Sequence, residues 1–568
     1  MPEPKAPWLK NYGEVPHNLN YPDCSMCEAV FSTADRLPDS VALAFMGRKI
    51  TYKQLKDSIE LTARSFAGIG IKKGGRVTVC LPNIPQAVYS LYAINRIGAV
   101  ASMIHPLSAV NEIEFFLNEV ESETIIALDS FYEKIKDAVV NTKVKTVIVV
   151  SISDELSAVK SIAYKLASER KNPKIEYNNS VISWRNFINK GKTYNKAYAV
   201  SPKADEGAVI LFSGGTTGVT KGILLSNLNF NALAMQTAAM CNKKIEGTKM
   251  LAAMPVFHGF GLGVCVHTVL FVGGCSVLVP RFNIKQYAKL IKKIRPNYIA
   301  GVPTLYEALT KNPYMDSVKL DCLMGVFSGG DSLSPALKKR FDKFLADHGS
   351  SVVIREGYGT TECVTASCLT PYHMQREGSI GFPFPDTYYK ICKVNTTKEL
   401  PYGSEGEICI SGPSVMIGYI NHPEENANTL KVHDDGRVWL HTGDLGVMDS
   451  DGFVYFKQRI KRMIITSGYN VYPSQIESVL DSHEAVQMSC VIGVKDEYKM
   501  QKVKEFVSLK SGYTPSEQLK KDILAYLEKS VAKYAMPKEI EFRDDMPTTL
   551  VGKVAYTVLE KEEAGKAV

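Results

Sequence analysis

The 568-residue chain has no uninterrupted apolar run long enough to cross a membrane, which takes about 20 residues. Its most apolar stretch, residues 251–280, is broken by Pro255, His258, His267 and the Gly273-Gly274 pair. It reads as a buried helix followed by a buried strand. The opening Met1-Pro-Glu-Pro-Lys5 has no apolar core, so no secretory signal is expected in it. A large charge excess is also missing. Lys and Arg number 67 against 59 Asp and Glu, a net +8, which is too mild to call for nucleic acid. The excess lies before residue 461, where it suits either a polyanionic small ligand or an ordinary solvated surface. Cys24 and Cys27 make a C-x-x-C pair, but no second pair stands at similar spacing, so no zinc or redox role is expected there. Most of the 12 cysteines, such as Cys80, Cys265, Cys275 and Cys409, sit inside apolar runs. Buried reduced thiols fit a cytoplasmic protein. Internal repeats and low-complexity tracts are absent.

What is present is ordinary globular composition, 45% hydrophobic and 22% charged, in a chain too long for one core. From about residue 40 to 390, strand-length apolar runs alternate with helix-period segments. Residues 77–81, 124–128, 146–150, 277–279 and 298–302 read as strands. Residues 85–97 carry Ala87, Leu91, Ile94 and Ile97 at helical spacing. Repeated strand–helix units predict an α/β fold with parallel sheets buried on both faces. After Gly381, Gly, Pro, Asp and Glu punctuate short strands at 388–394, 406–410, 438–441 and 453–457, which predicts an antiparallel sheet or small barrel. A boundary is placed at Arg459–Lys461. Beyond it, residues 484–494 and 505–510 read as strands and 517–533 as a helix of a compact tail.

One loop carries chemistry. After the apolar run 209–212 comes Ser213-Gly-Gly-Thr-Thr-Gly-Val-Thr-Lys221. Glycines let the backbone approach an anion with its N–H groups turned inward, hydroxyls add donors, and lysine adds a charge. The spacing is not that of a Walker A loop, because Gly222 follows Lys221. Alone, the loop reads equally well as a flexible linker.

It does not stand alone. Pro255-Val-Phe-His258, Tyr358-Gly-Thr-Thr-Glu362, Thr442-Gly-Asp444, Arg459-Ile-Lys461 and Gly552-Lys553 follow it in order. On these motifs the chain, from Thr51-Tyr52 to Lys553, resembles the adenylate-forming superfamily of acyl-CoA synthetases, aryl-CoA ligases, luciferases and peptide-synthetase adenylation domains. The resemblance implies a large N-terminal adenylation domain, residues 1–460, with two doubly wound sheets and a small β-barrel-like sheet. A small mobile α+β C-terminal lid domain, residues 461–568, would follow. It implies two steps: a carboxylic acid is activated with ATP as acyl-AMP, releasing pyrophosphate, and the acyl group then passes to coenzyme A.

The resemblance also implies roles. Ser213, Gly214, Gly215, Thr216, Thr217, Gly218 and Lys221 would cradle the phosphates. Thr216 and Glu362 would hold Mg²⁺, a hard cation that takes oxygen ligands. Lys553 would stabilise the charge developing between carboxylate and α-phosphate, and Thr361 would contact that phosphate. Tyr358 would stack on adenine beside Gly359 and Thr360, with Gly330, Asp331 and Ser332 on the nucleotide side. Asp444 would accept the ribose hydroxyls, supported by Arg459. His258 would position the reacting carboxylate at the pocket mouth. Ser467, Gly468 and Tyr469 would line the CoA path, and Lys461 would be the hinge. Phe257, Phe260, Gly261, Val302 and Gly329 would form the acyl pocket, with Gly261 and Gly263 leaving room for an alkyl chain.

The pattern departs from the family at Thr220, Asn227, Arg462 and Tyr556, where Pro, His, an acidic residue and Arg are frequent. The closest likeness is to medium- or long-chain fatty acyl-CoA ligases. Aryl, dicarboxylic and steroid-type acids stay open, as do an acyl-AMP ligase that loads a carrier protein and a non-catalytic binding protein. No buried acid is placed to grip an amino group, which argues against amino-acid activation. Partners are therefore small molecules, with peripheral membrane contact as the further expectation for so apolar a substrate.

Overall fold

The computed structural model describes residues 4–168, 172–212, 220–241, 244–466, 469–496, 500–549 and 554–566. Two large sheets dominate residues up to about 420. The first has nine strands in the spatial order Phe382–Pro383, Cys368–Leu369, Ile354–Tyr358, Gly325–Ser328, Tyr298–Gly301, Lys249–Ala252, Cys275–Leu278, Val41–Phe45 and Arg48–Thr51. The second has eight, ordered Gly418–Tyr419, Gly222–Ser226, Gly207–Phe212, Val100–Met103, Arg76–Cys80, Thr124–Leu128, Thr146–Val150 and Val181–Ser183. Central pairings in both are parallel and the pairings at the edges are antiparallel. Strands such as Thr124–Leu128 are buried at every position, which is why they read as continuous apolar runs without alternation. Helix Pro85–Arg96 packs between layers with nearly all its residues buried.

Residues 251–280 form a strand, a helix and a strand, not the helix-then-strand their composition predicts. Lys249–Ala252 is a strand, followed by a π-helix at Phe260–Thr268 and a short α-helix at Val269–Val272. All nine π-helical residues are buried. Tyr92 and Asn231 bracket the His267 ring at 3.0 and 3.1 Å. Burial lowers its pKa to about 3, so His267 is a neutral, fully bonded core residue.

A small antiparallel sheet follows: Tyr388–Cys392, Glu405–Ser411, Val438–Met448 and Leu430–Val432, with Val454–Arg459 paired to Val438–Met448. Its apolar face, including Tyr389, Ile391, Ile408 and Leu440, joins the main core. A last sheet of Ile464–Thr466, Tyr469–Val471, Val486–Asp496, Met500–Leu509 and Glu539–Phe542 has a core of its own around Ile464, Val491, Val507 and Leu527. Among the described residues no helix is long and apolar enough to cross a membrane.

Candidate active site

Strand Ile354–Tyr358 ends the parallel run of the nine-stranded sheet, and polar groups gather at its C-terminal end. Tyr358 donates its hydroxyl to Asp444 Oδ2 at 2.7 Å. Asp444 is 2% exposed and lies opposite Arg459 across paired strands. Arg459 Nε stands 3.5 Å from Asp444 Oδ1. The turn presenting Asp444 is bonded from below. Gly443 takes φ +71°, a region that suits glycine, and donates its N–H to Glu407 Oε1 at 3.0 Å. Thr442 donates to the Ile408 carbonyl at 2.7 Å and accepts the Asp444 N–H at 3.1 Å. Burial, then the Asp444 charge, push the Tyr358 hydroxyl well above its ordinary pKa, so it stays a donor. Burial opposes the Arg459 charge, but Asp444, Glu362 and Tyr358 outweigh it and its pKa rises.

Glu362 lies in the turn Thr361–Cys363, which runs from Gly359 and Thr360 into Val364 at φ +66°. A β-branched residue there is strained. The strain is enforced by packing: a Cβ on Gly259 would fall 1.6 Å from the Val364 carbonyl oxygen. Glu362 Oε1 accepts the Tyr419 hydroxyl at 2.8 Å. Lys221 stands 4.8 Å over the Tyr419 ring and 2.5 Å from Glu425. Tyr419 thus joins the end of the glycine-rich loop to Glu362. Neither Tyr419 nor Glu425 was expected from the sequence. Tyr419 reaches Glu362 only because Gly418–Tyr419 adds as an edge strand to Gly222–Ser226, and no local spacing signals that pairing.

Beside this group is a cavity of ≈ 40 Å³ lined mainly by Phe260, Val264, Phe327, Gly329, Gly357 and Leu369, room for a few waters. Of the residues expected in the acyl pocket, Phe260 and Gly329 line this cavity. Phe257, Gly261 and Val302 do not. Phe257 packs on the His105 ring, centroids 4.1 Å apart. Val302 caps helix Pro303–Thr310 and packs against the cluster on the far side of the sheet. The space beside Gly261 is filled, since a Cβ there would meet the Pro255 and Met254 carbonyls at 2.1 and 2.3 Å. At Gly263 it would meet Leu233 at 2.6 Å. Close neighbours thus occupy the space where a side chain would stand at both glycines.

His258 precedes the π-helix and accepts the Phe260 N–H on Nδ1 at 3.2 Å, which places the proton of the neutral ring on Nε2. Gly330, Asp331 and Ser332 form an exposed loop after Gly325–Ser328, where Asp331 Oδ1 accepts the Ser332 N–H at 2.9 Å. Half-buried Glu356 accepts the Leu333 N–H at 3.0 Å, and desolvation raises its carboxyl to about 7. Lys461 is exposed in the turn Ile460–Arg462.

Ser213, Gly214, Gly215, Thr216, Thr217 and Gly218 lie outside the described residues, as do Ser467, Gly468 and Lys553. The side chain of Tyr469 does too; its backbone opens strand Tyr469–Val471. Thr548 and Val554 form an isolated antiparallel bridge.

Residues 30–420 match the model of the AMP-binding enzyme family, and residues 475–553 match that of the AMP-binding enzyme C-terminal domain. A long-chain-fatty-acid–CoA ligase of Bacillus subtilis is 34% identical, with 98% of both chains covered. One from Escherichia coli is 32% identical over 99% of both. ATP-bound MatB from Rhodopseudomonas palustris superposes with a TM-score of 0.81 at 26% identity, covering 95% of this chain and 99% of that one. With the family models matching both parts and relatives aligned from end to end, the chain belongs to the AMP-binding enzymes.

Proposed function

We propose that the protein is an AMP-forming acid–thiol ligase that converts a medium- or long-chain fatty acid into its acyl-CoA. The observation carrying this reading is one strand end. Gly357 borders the apolar cavity while the next residue, Tyr358, holds the buried carboxylate Asp444. An acyl chain and a nucleotide would therefore meet at adjacent residues. The end-to-end relatives named as long-chain-fatty-acid–CoA ligases support the acid class.

In the first step a carboxylate oxygen attacks the α-phosphorus of ATP and the bond to pyrophosphate breaks. Both partners are anionic, so catalysis rests on positioning and charge stabilisation. Asp444 accepts ribose hydroxyls, oriented by Tyr358 and Arg459. The loop 213–221 receives the phosphates, and Lys553 neutralises charge at the reacting oxygens. His258, holding its proton on Nε2, donates to the substrate carboxylate. Carboxylate and hydroxyl oxygens at Glu362 and Thr216 are the hard donors that Mg²⁺ prefers; when bound, the ion would neutralise phosphate charge. In the second step the CoA thiolate attacks the acyl carbon and AMP leaves. Residues 461–568 would turn about Lys461 between the steps, exchanging Lys553 for the segment at 467–469. The ≈ 40 Å³ cavity is far too small for a long acyl chain, so loading requires its walls to part. Twelve free thiols suit a reducing, cytoplasmic setting, with acids drawn from a membrane surface.

The test is AMP formation with a panel of fatty, aryl and dicarboxylic acids, with and without CoA. Saturated fatty acids of medium to long chain should give CoA-accelerated AMP release. Pyrophosphate exchange without CoA acceleration would move the assignment to a carrier-loading ligase, and no exchange with any acid would reject it. Lys553→Ala should abolish exchange while ATP still binds.

A further inference from the structure

The polar face of the small antiparallel sheet carries a second constellation, away from the nucleotide groups. Antiparallel registers pair Lys390 with Cys409, Cys392 with Glu407, and Cys409 with His441. Side chains alternate along strands, so Cys392, Cys409, Glu407 and His441 share one face. His433 folds over them, its ring stacked on fully buried Trp439 at 5.4 Å. The two sulfurs and one ring nitrogen of His433 lie within 4.8 Å of one another, and all three residues are buried. Such groupings are scarce: among the described residues the one other triad is Glu407, Cys409 and His441, which shares Cys409.

The hydrogen bonds fix the tautomers. Glu407 Oε2 lies 2.8 Å from His441 Nδ1, and a carboxylate accepts, so Nδ1 carries the proton of that neutral ring. His441 Nε2 is then an acceptor. It lies 3.0 Å from His433 Nε2, so the second ring must donate from Nε2. That leaves a lone pair on His433 Nδ1, an atom that is buried and has no hydrogen-bond partner. A buried acceptor left unbonded is costly. A carboxylate relayed through one imidazole to a second, which has one ring nitrogen within 4.8 Å of two thiols, resembles the support that orients a metal-ligating histidine.

We propose that Cys392, Cys409 and His433 form a site for one divalent transition-metal ion of the zinc type, with His441 and Glu407 as its hydrogen-bonded support. Two sulfurs and an imidazole are soft to borderline donors, which select zinc over magnesium or calcium. Tetrahedral zinc with Zn–S of about 2.3 Å holds its sulfurs ~3.8 Å apart. The two sulfurs, within 4.8 Å of each other, need to close by about 1 Å at most to reach that. Binding releases one proton from each thiol as the two S–metal bonds form, so affinity rises with pH. Three protein ligands leave the fourth position open. Through His433, His441 and Glu407 the site reaches the Gly443 N–H, and so the turn that presents Asp444.

The whole protein, stripped with chelator under reducing conditions, is titrated with Co²⁺ alone and then with Zn²⁺ alone. One equivalent of Co²⁺ should bring up a sulfur-to-cobalt charge-transfer band with tetrahedral visible absorption, and Zn²⁺ should erase both. Cys392→Ser with Cys409→Ser should remove the band, whereas Cys24→Ser with Cys27→Ser should leave it. His441→Ala should weaken binding ~10–100-fold. X-ray absorption of the zinc-loaded wild type, which depends on no variant folding, should find two sulfur neighbours and an imidazole. A shell of nitrogen and oxygen alone, absence of the band at one equivalent, or a band that survives loss of Cys392 and Cys409 would each overturn the assignment.

Discussion

Asp444 is the residue on which the nucleotide reading turns, and its neighbours make that testable. Its carboxylate is 2% exposed and is oriented by one hydroxyl and one guanidinium. Tyr358→Phe removes the hydroxyl and keeps the ring. A hydrogen bond to a charged group contributes about 1.5–3 kcal/mol, which corresponds to a loss of roughly 10–100-fold. Expected is a rise of that size in KM for ATP in pyrophosphate exchange, with the acid's KM little changed; an unaltered ATP KM would remove Tyr358 from the nucleotide site. The motifs made Tyr358, Asp444 and Arg459 visible in the sequence. Tyr419 and Glu425 were invisible, because their partners Glu362 and Lys221 meet them through an edge-strand pairing between residues some 200 positions apart. The cysteine–histidine cluster escaped notice for the same reason: its members are joined by sheet register and by no short spacing.

At the scale of elements, the glycines around the cavity divide into two kinds, and substitution should tell them apart. Gly261 touches backbone carbonyls that have nowhere to move, so Gly261→Ala should cost ~3 kcal/mol or more through overpacking, seen as a large fall in Tm or loss of folded protein. Gly329 lines the cavity, and an added Cβ would stand 3.3 Å from the Gly357 carbonyl oxygen and 3.6 Å from Phe260. Gly329→Ala should fold and keep activity on shorter acids. It should lose about tenfold in kcat/KM on the longest, since a methylene-sized mismatch is worth ~1–3 kcal/mol. The strands of both large sheets were legible because doubly buried strands read as apolar runs of the right length. The π-helix was not, since its glycines look like pocket-lining until the opposing carbonyls are in place. A similar hidden pairing explains two family departures. Arg462 lies 4.6 Å over the Tyr556 ring and 2.5 Å from Glu477, so the two unusual residues contact each other. A double-mutant cycle with Arg462→Ala and Tyr556→Ala should give a coupling of about 1 kcal/mol in unfolding free energy, within the range of a partly desolvated cation–π pair. Additive effects would mean that the two departures are independent.

For the whole molecule, the question is what holds the C-terminal sheet against the rest, and one acid makes the answer depend on pH. Tyr472 bonds Glu405, and Ser474 bonds the Lys457 carbonyl, both across the chain from Lys461. Asp481, at the end of helix Pro473–Leu480, is raised from 3.8 to about 7. Burial is the largest cause, followed by the charges of Glu477, Asp331 and Glu307, with Arg340 opposing. Asp331 and Glu307 belong to the large N-terminal part, so a part of the shift depends on the docked arrangement. At low pH Asp481 is neutral whether docked or apart. Separation removes the Asp331 and Glu307 charges and so lowers the pKa of Asp481; just below about 7 the docked form keeps a proton that the separated form loses, and docking weakens as pH rises. Above about 7 both forms are ionised and the dependence flattens. A donor–acceptor dye pair spanning Lys461 should therefore show the docked fraction falling as pH rises toward about 7. In Asp481→Asn the curve should be nearly flat, because the amide carries no proton to lose. An unchanged slope in that variant would assign the pH dependence to other groups at the contact. A flat wild-type curve would show that docking is governed by neutral contacts, with the electrostatics of Asp481, Asp331 and Glu307 relieved by water.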